Sequence, residues 1–217
     1  MDARLVSALS DQFAHWRSSL GAGAQRVGWK LGVGDRERIG EGPVAGHLTS
    51  ATQLEPEGVY QAGEPVDLRA DAEVALELAH DVDPGADRDS ALAAIGGYGA
   101  ALEIVDLGHP TDAAETVVAR NVFHRAFALG GLDRSWPRAQ VEGQLIVNGE
   151  TQASAEATAD IAELVLAVAA LLGAMGARLE AGDRLITGSI VQIPIRPGAQ
   201  VAADLGALGR VQLTIRS

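Results

Sequence analysis

Apolar side chains recur about one helical turn apart over residues 3–20, at Leu5, Leu9, Phe13, Trp16 and Leu20, the period of an amphipathic helix. Gly21-Ala22-Gly23 breaks it, and residues 27–32 read as a short strand. A glycine- and charge-rich loop follows through Gly42, then short strands to about residue 68 between turn signals at Pro56-Glu57-Gly58 and Gly63-Glu64-Pro65. Residues 69–78 alternate strictly: Arg69, Asp71, Glu73 and Glu77 on one face, Ala70, Ala72, Val74, Leu76 and Leu78 on the other. That pattern predicts a half-buried strand.

Residues 81–87 resemble a calcium loop only faintly, since their glycine and glutamate are misplaced for one, and they are expected to be a solvated loop. A short helix is predicted over 89–99 and a strand over 101–106. Asn148-Gly149 sits between apolar alternations at 142–147 and 151–155, a strong hairpin signal. Asp160 is placed to cap a helix through Met175 that Gly176 ends. Strands at 184–188, 190–195, 199–204 and 210–216 close the chain. Short strands with three or four helices, and no regular strand–helix alternation, argue for the α+β class. No linker or repeat interrupts the sequence, so one domain over 1–217 is expected, with 1–26 as its N-terminal helical segment.

Composition narrows the function. A net charge of -12 argues against nucleic acid and anionic membranes as partners. The absence of cysteine excludes disulfides, thiol nucleophiles and cysteine-ligated metals. The longest apolar stretch, residues 164–177, is shorter than the ~20 residues of a spanning helix, and the first residues lack the pattern of a signal peptide. A soluble, cytoplasmic protein is expected.

The glycines at 32 and 34 lack the third member of a dinucleotide fingerprint. There is no phosphate-binding P-loop and no Gly-x-Ser-x-Gly elbow. The five histidines are scattered, with no pair at metal-ligand spacing.

Sixteen of the seventeen basic residues are arginine; the exception is Lys30. It is either a surviving surface residue or a group kept because an ammonium, unlike a guanidinium, can titrate when buried. Asp71 and Glu73 share a strand face and would repel unless a cation lay between them, with Arg69 as the ordinary alternative partner. Glu103 falls within an apolar run, where a bare carboxylate costs several kcal/mol. One Mg²⁺ or Mn²⁺ shared by Asp71, Glu73 and Glu103 would resolve both problems; a buried arginine would resolve the second.

From about Val27 onward the chain resembles the 2-keto-4-pentenoate hydratase group of the fumarylacetoacetate hydrolase superfamily. The family's Gly-x-Lys-x-Gly reads Gly28-Trp29-Lys30-Leu31-Gly32, its Glu-x-Glu reads Asp71-Ala72-Glu73, and its Ala-Leu-Glu-x-Val ends on Glu103 and Val105. Val147-Asn148-Gly149-Glu150, residues 179–189 and Arg196-Pro197-Gly198 agree further. The resemblance implies a mixed β-roll or sandwich with a few peripheral helices, a Mg²⁺ or Mn²⁺ site, a homo-oligomer and a 2-oxo acid substrate, of the kind met in aromatic-compound catabolism. It implies metal ligation by Asp71, Glu73 and Glu103, with Lys30 moving a proton or holding an enolate oxygen. His47, Asn121, His124, Arg125, Thr187 and Ser189 are the candidate substrate contacts, with Arg120 as a further rim cation. The family's Pro-Asp-Phe-Gly-x-Leu reads Pro43-Val44-Ala45-Gly46-His47-Leu48, without its aspartate, and its Ala-Asp-Asn-Ala-Ser-x-Gly reads Ala119-Arg120-Asn121-Val122-Phe123-His124-Arg125.

The expected activity is that of a metal-dependent lyase, hydratase or decarboxylase in type, on a short 2-oxo or 2-hydroxydienoic acid. The alternatives are hydrolytic C–C cleavage of an acylpyruvate, with His47 or His124 activating water, and a silent paralogue that binds a 2-oxo acid.

Overall fold

The computed structural model describes residues 3–32, 44–133, 135–136, 140–157 and 160–217; the loop expected up to Gly42, and Pro43 after it, lie outside them. Helix α1 (Ala3–Gly21) leads into β1 (Arg26–Gly32). Next come β2 (Val44–Thr49), β3 (Gln53–Leu54), β4 (Val59–Gln61) and β5 (Leu68–Leu78). Then follow α2 (Arg88–Ala93), β6 (Ile95–Asp106), α3 (Ala114–Ala119) and β7 (His124–Leu129). The hairpin β8 (Val141–Val147) and β9 (Glu150–Ala157) precedes α4 (Ile161–Ala174). Four strands end the chain: β10 (Arg184–Ile186), β11 (Val191–Pro194), β12 (Gln200–Asp204) and β13 (Arg210–Arg216).

The strands form two sheets. The first runs β2-β1-β10-β5-β6-β7-β3, with β11 also paired to β5, and curls into a half-barrel; the second runs β4-β13-β12-β8-β9. Apolar side chains between the sheets make the main core, among them Ala70, Ala72 and Val74 of β5, Leu102 and Ile104 of β6, and Val201, Leu213 and Ile215 of the second sheet. Helix α1 is fixed from outside by aromatic packing: the Phe13 and Trp16 rings lie 5.4 and 5.0 Å from that of Trp29 in β1. Because side chains alternate along a strand, seating Trp29 against the helix turns Lys30 to the opposite face.

Several expectations hold in detail. Asp160 accepts from the Glu163 N–H at the start of α4, and Gly176 takes a left-handed φ of 69° just past its end. Asn148 (φ 51°) and Gly149 (φ 87°) make the tight turn of the β8–β9 hairpin.

Others are corrected. β5 is buried on both faces rather than one, because its even-numbered residues meet the second sheet as far as Val74 and the α1 and α4 side of the core at Leu76 and Leu78, while its odd-numbered ones line the inside of the half-barrel. The helix expected over 89–99 stops at Ala93. Residues 95–99 pair with β5 instead, as suits the poor helix formers Gly96, Gly97 and Gly99. Helix α3 and strand β7 were not anticipated.

Candidate functional site

The half-barrel's inner face carries the chemistry. In the antiparallel β5–β6 ladder Asp71 is the direct partner of Glu103, and Glu73 lies two residues along from Asp71. One carboxylate oxygen from each falls within 4.8 Å of the others. All three are buried, at 4%, 2% and 1% exposure. Neither strand alone specifies this convergence; the register between them does.

Each carboxylate is held by named donors. The Ser189 hydroxyl donates to Asp71 Oδ1 at 2.9 Å, and the Gly188 N–H to Glu73 Oε2 at 2.8 Å. Both donors lie where the chain passes from β10 to β11, the two strands that share the edge of β5. Gln192, the register partner of Asp71 on β11, also hydrogen-bonds its carboxylate.

Glu103 has the strongest partners. Lys30 Nζ donates to its Oε1 at 2.6 Å, and His124 Nδ1 meets the same oxygen at 2.6 Å. Lys30, only 4% exposed, gives a second hydrogen to the Val122 carbonyl at 3.0 Å. An ammonium has three hydrogens, and Lys30 lines the adjacent cavity. The lone lysine is a buried ion-pair partner, and the surface reading is set aside.

Local backbone makes room for it. Gly28, with φ 153°, passes so close to Arg184 that a Cβ there would collide with backbone. At Gly46 a Cβ would stand 2.7 Å from both Lys30 Cγ and Asn121 Oδ1. Asn121, Val122 and Phe123 all adopt left-handed φ, at 63°, 52° and 65°, which a β-branched or bulky residue does at a cost. Asn121 anchors this turn, accepting from the His47 N–H at 2.7 Å and donating to the His47 carbonyl at 2.9 Å.

The electrostatics follow from burial. Desolvation, then the Glu103 charge, pushes Asp71 up to about 6 against the pull of Gln192, Ser189 and Lys30. Desolvation, then Glu103 and Asp71, raises Glu73 well above the usual carboxylate range. Burial also opposes ionisation of Glu103, but the Lys30 ammonium and the His124 hydrogen bond overcome it and hold the group at about 2. Burial lowers the His124 pKa despite the carboxylate beside it. The cluster thus holds one firmly ionised carboxylate and two that are charged reluctantly.

Beside it lies a cavity of about 370 Å³. Lys30, Asp71, Glu73, Glu103, Gly188, Ser189 and Gln192 supply its polar wall, and Leu31, Val105, Leu107, Val122 and Phe123 its apolar one. The other candidates stand outside this lining. His47 is mostly buried, with Nδ1 unpartnered and its pKa lowered to about 4 by desolvation and by His124 and His15. Asn121 spends its amide on the His47 backbone, and Thr187 donates to the Val74 carbonyl at 3.3 Å. Arg125 turns to Asp106 and the His124 carbonyl, while Arg120 sits exposed at the end of α3. His124 lies behind Glu103, with Nε2 at 2.9 Å from the Thr52 hydroxyl. Gln192, Gly188, the Val122 carbonyl and Thr52 were not foreseen; their roles depend on register and backbone direction.

The donor set fits a hard divalent cation: it is all oxygen, anionic, tightly grouped and, among the described residues, short of countercharge.

No family model matches the chain. The solved 4-oxalocrotonate decarboxylase from Pseudomonas putida G7, complexed with magnesium and adipate, superposes with a TM-score of 0.88 at 23% identity, over 97% of this chain and 86% of that one. The fold is that of the fumarylacetoacetate hydrolase superfamily. A 2-hydroxyhepta-2,4-diene-1,7-dioate isomerase from Mycobacterium marinum shares this fumarylacetoacetate hydrolase fold less closely, with a TM-score of 0.69 at 16% identity over 88% and 75% of the two chains. In sequence, a 4-oxalocrotonate decarboxylase from a Pseudomonas species is 25% identical over 205 residues, covering 88% of this chain and 79% of its own.

Proposed function

We propose that the chain is a divalent-cation-dependent decarboxylase of a short, unsaturated 2-oxo acid of the 4-oxalocrotonate type. The observation that carries this reading is the buried group of Asp71, Glu73 and Glu103, within 4.8 Å of one another and joined to Lys30 through Glu103. The likeness to 4-oxalocrotonate decarboxylases favours loss of CO₂ over hydration.

Asp71, Glu73 and Glu103 are the residues that would hold Mg²⁺ or Mn²⁺. When bound, such a cation supplies a Lewis acid that accepts negative charge developing on a 2-oxo acid. Ser189 and Gly188 fix one oxygen each on Asp71 and Glu73, so the set is oriented before substrate enters. In a substrate whose leaving carboxylate sits on a saturated carbon next to a double bond conjugated with the C2 carbonyl, the C–CO₂ bond breaks and its electron pair passes through that double bond to the C2 oxygen. Lys30 delivers a proton to that oxygen, and CO₂ departs. Burial excludes competing water around the ammonium, and the wall of Leu31, Val105, Leu107, Val122 and Phe123 accommodates the unsaturated carbon chain. Hydrolytic cleavage would need a water-activating base, and neither His47 nor His124 is among the described lining residues.

The test is CO₂ release from 4-oxalocrotonate with Mg²⁺ or Mn²⁺, read beside the ultraviolet absorbance of the conjugated acid. Metal-dependent CO₂ release is expected. Consumption of the acid without CO₂, or no turnover with either metal, overturns the reading.

A further inference from the structure

We infer that His124 is a positioning residue: its Nδ1–H fixes the Glu103 carboxylate so that Oε1 faces Lys30 and Oε2 is left for a divalent cation. The inference deepens the metal-dependent reading above and rests on it.

The geometry is a four-member chain. Thr52 Oγ1 lies 2.9 Å from His124 Nε2, His124 Nδ1 lies 2.6 Å from Glu103 Oε1, and Lys30 Nζ lies 2.6 Å from that same oxygen. A carboxylate beside an ammonium only accepts, so Nδ1 must carry the hydrogen. In the neutral ring Nε2 is then the acceptor, and the Thr52 hydroxyl donates to it. That hydroxyl's other acceptor, the Thr49 carbonyl, stands at a long 3.4 Å. Thr52 is itself fixed, its carbonyl accepting from the Phe127 N–H at 3.0 Å.

The imidazole has little freedom. Its side chain is 2% exposed, and its ring packs against Phe127 at 5.8 Å. Without it, Oε1 would keep Lys30 alone, and the Glu103 side chain could rotate about that single contact. With it, two donors converge on one oxygen and set the carboxylate plane. Groups that orient metal ligands in this way typically change metal affinity by about 10–100-fold when removed. His124 does not line the cavity, so its effect passes through Glu103.

The experiment titrates Mn²⁺ into the metal-free full chain and follows free Mn²⁺ by electron paramagnetic resonance, for wild type, His124→Leu and His124→Asn. The asparagine amide can replace the Nδ1–H donor; leucine fills similar space without one. Circular dichroism of each metal-free variant establishes that it is folded. Leucine should weaken Mn²⁺ binding about 10–100-fold, and asparagine should recover most of that loss. Equal affinity of wild type and a folded His124→Leu overturns the inference alone, as does an asparagine variant no better than leucine. A wild type that binds no Mn²⁺ overturns the metal reading and the inference with it. Should leucine prevent folding, nitrogen NMR of histidine-labelled wild type decides: a neutral Nδ1–H tautomer at His124 supports the inference, and an Nε2–H tautomer overturns it.

Discussion

Asp71 and Glu103 stand directly opposite each other in the β5–β6 ladder, two carboxylates as register partners on an inner sheet face. Like charges so placed destabilise a sheet, and Glu73 beside them adds a third. The fold offsets this with one ammonium, one imidazole, a hydroxyl, a side-chain amide and a backbone N–H. The arrangement is costly unless something further neutralises it, and the consequences can be measured.

Glu73→Gln should raise the melting temperature of the metal-free protein while abolishing its response to Mg²⁺. The amide removes the repulsion and can still accept from the Gly188 N–H. Each kcal/mol gained corresponds to about 2–4 °C for a chain of this size. Scanning calorimetry with and without Mg²⁺ checks both halves; a lower metal-free melting temperature would count against the argument.

Stabilisation by Mg²⁺ should grow with pH. Asp71 is raised to about 6 and Glu73 is raised well above its usual range, so each holds its proton more tightly folded than unfolded. Their contribution to the metal-free fold is therefore full below the unfolded values and lost as pH rises through the folded ones. Protons compete with the cation in that window, whereas Glu103, at about 2, is ionised throughout. The Mg²⁺-induced rise in melting temperature should be small near about pH 5 and much larger near about pH 7.5. An equal rise at both would contradict it.

Lys30→Arg should preserve the fold and the ion pair to Glu103 yet lose turnover, because a guanidinium does not release its proton near neutrality. A general acid contributes about 10²–10⁴-fold, and kcat should fall by that order with KM nearly unchanged. A large KM effect with kcat preserved would make Lys30 a charge anchor instead.

Asn121→Ala should cost about 2 kcal/mol through the two hydrogen bonds to His47, a melting-temperature loss of about 4–8 °C. Alanine also tolerates the left-handed φ less well than asparagine does. Turnover should fall with it, since the turn presents the Val122 carbonyl to Lys30. Thermal unfolding and a rate assay report the two effects separately.

Much of this was legible in the chain itself. The alternation at 69–78 marked Asp71 and Glu73 as sharing a face, the apolar surroundings of Glu103 marked it as needing a partner, and the rarity of lysine marked Lys30. What alternation could not supply was the second face of β5. A strand polar on one side reads as half-exposed until a curled sheet closes over it. The roles of Thr187, Asn121 and Arg125 depended on where each side chain points, which is settled by neighbours distant in sequence. The left-handed run at 121–123 was invisible because neither valine nor phenylalanine advertises a positive φ.

The bonds that hold the carboxylates span most of the polypeptide. Lys30 and Glu103 are 73 residues apart, Glu73 and Gly188 are 115 apart, and Asp71 and Ser189 are 118 apart. Such contacts close late, because the entropy of the intervening loops is lost before any bond rewards it. As the chain leaves the ribosome, β5 and β6 can pair well before the crossover between β10 and β11 exists. For that interval Asp71 and Glu73 lack their Ser189 and Gly188 donors, so the hairpin carries more of its charge repulsion. The slow step in folding should therefore be the docking of β10 and β11 onto β5, and acidic conditions or a divalent cation, either of which quiets the repulsion, should speed it.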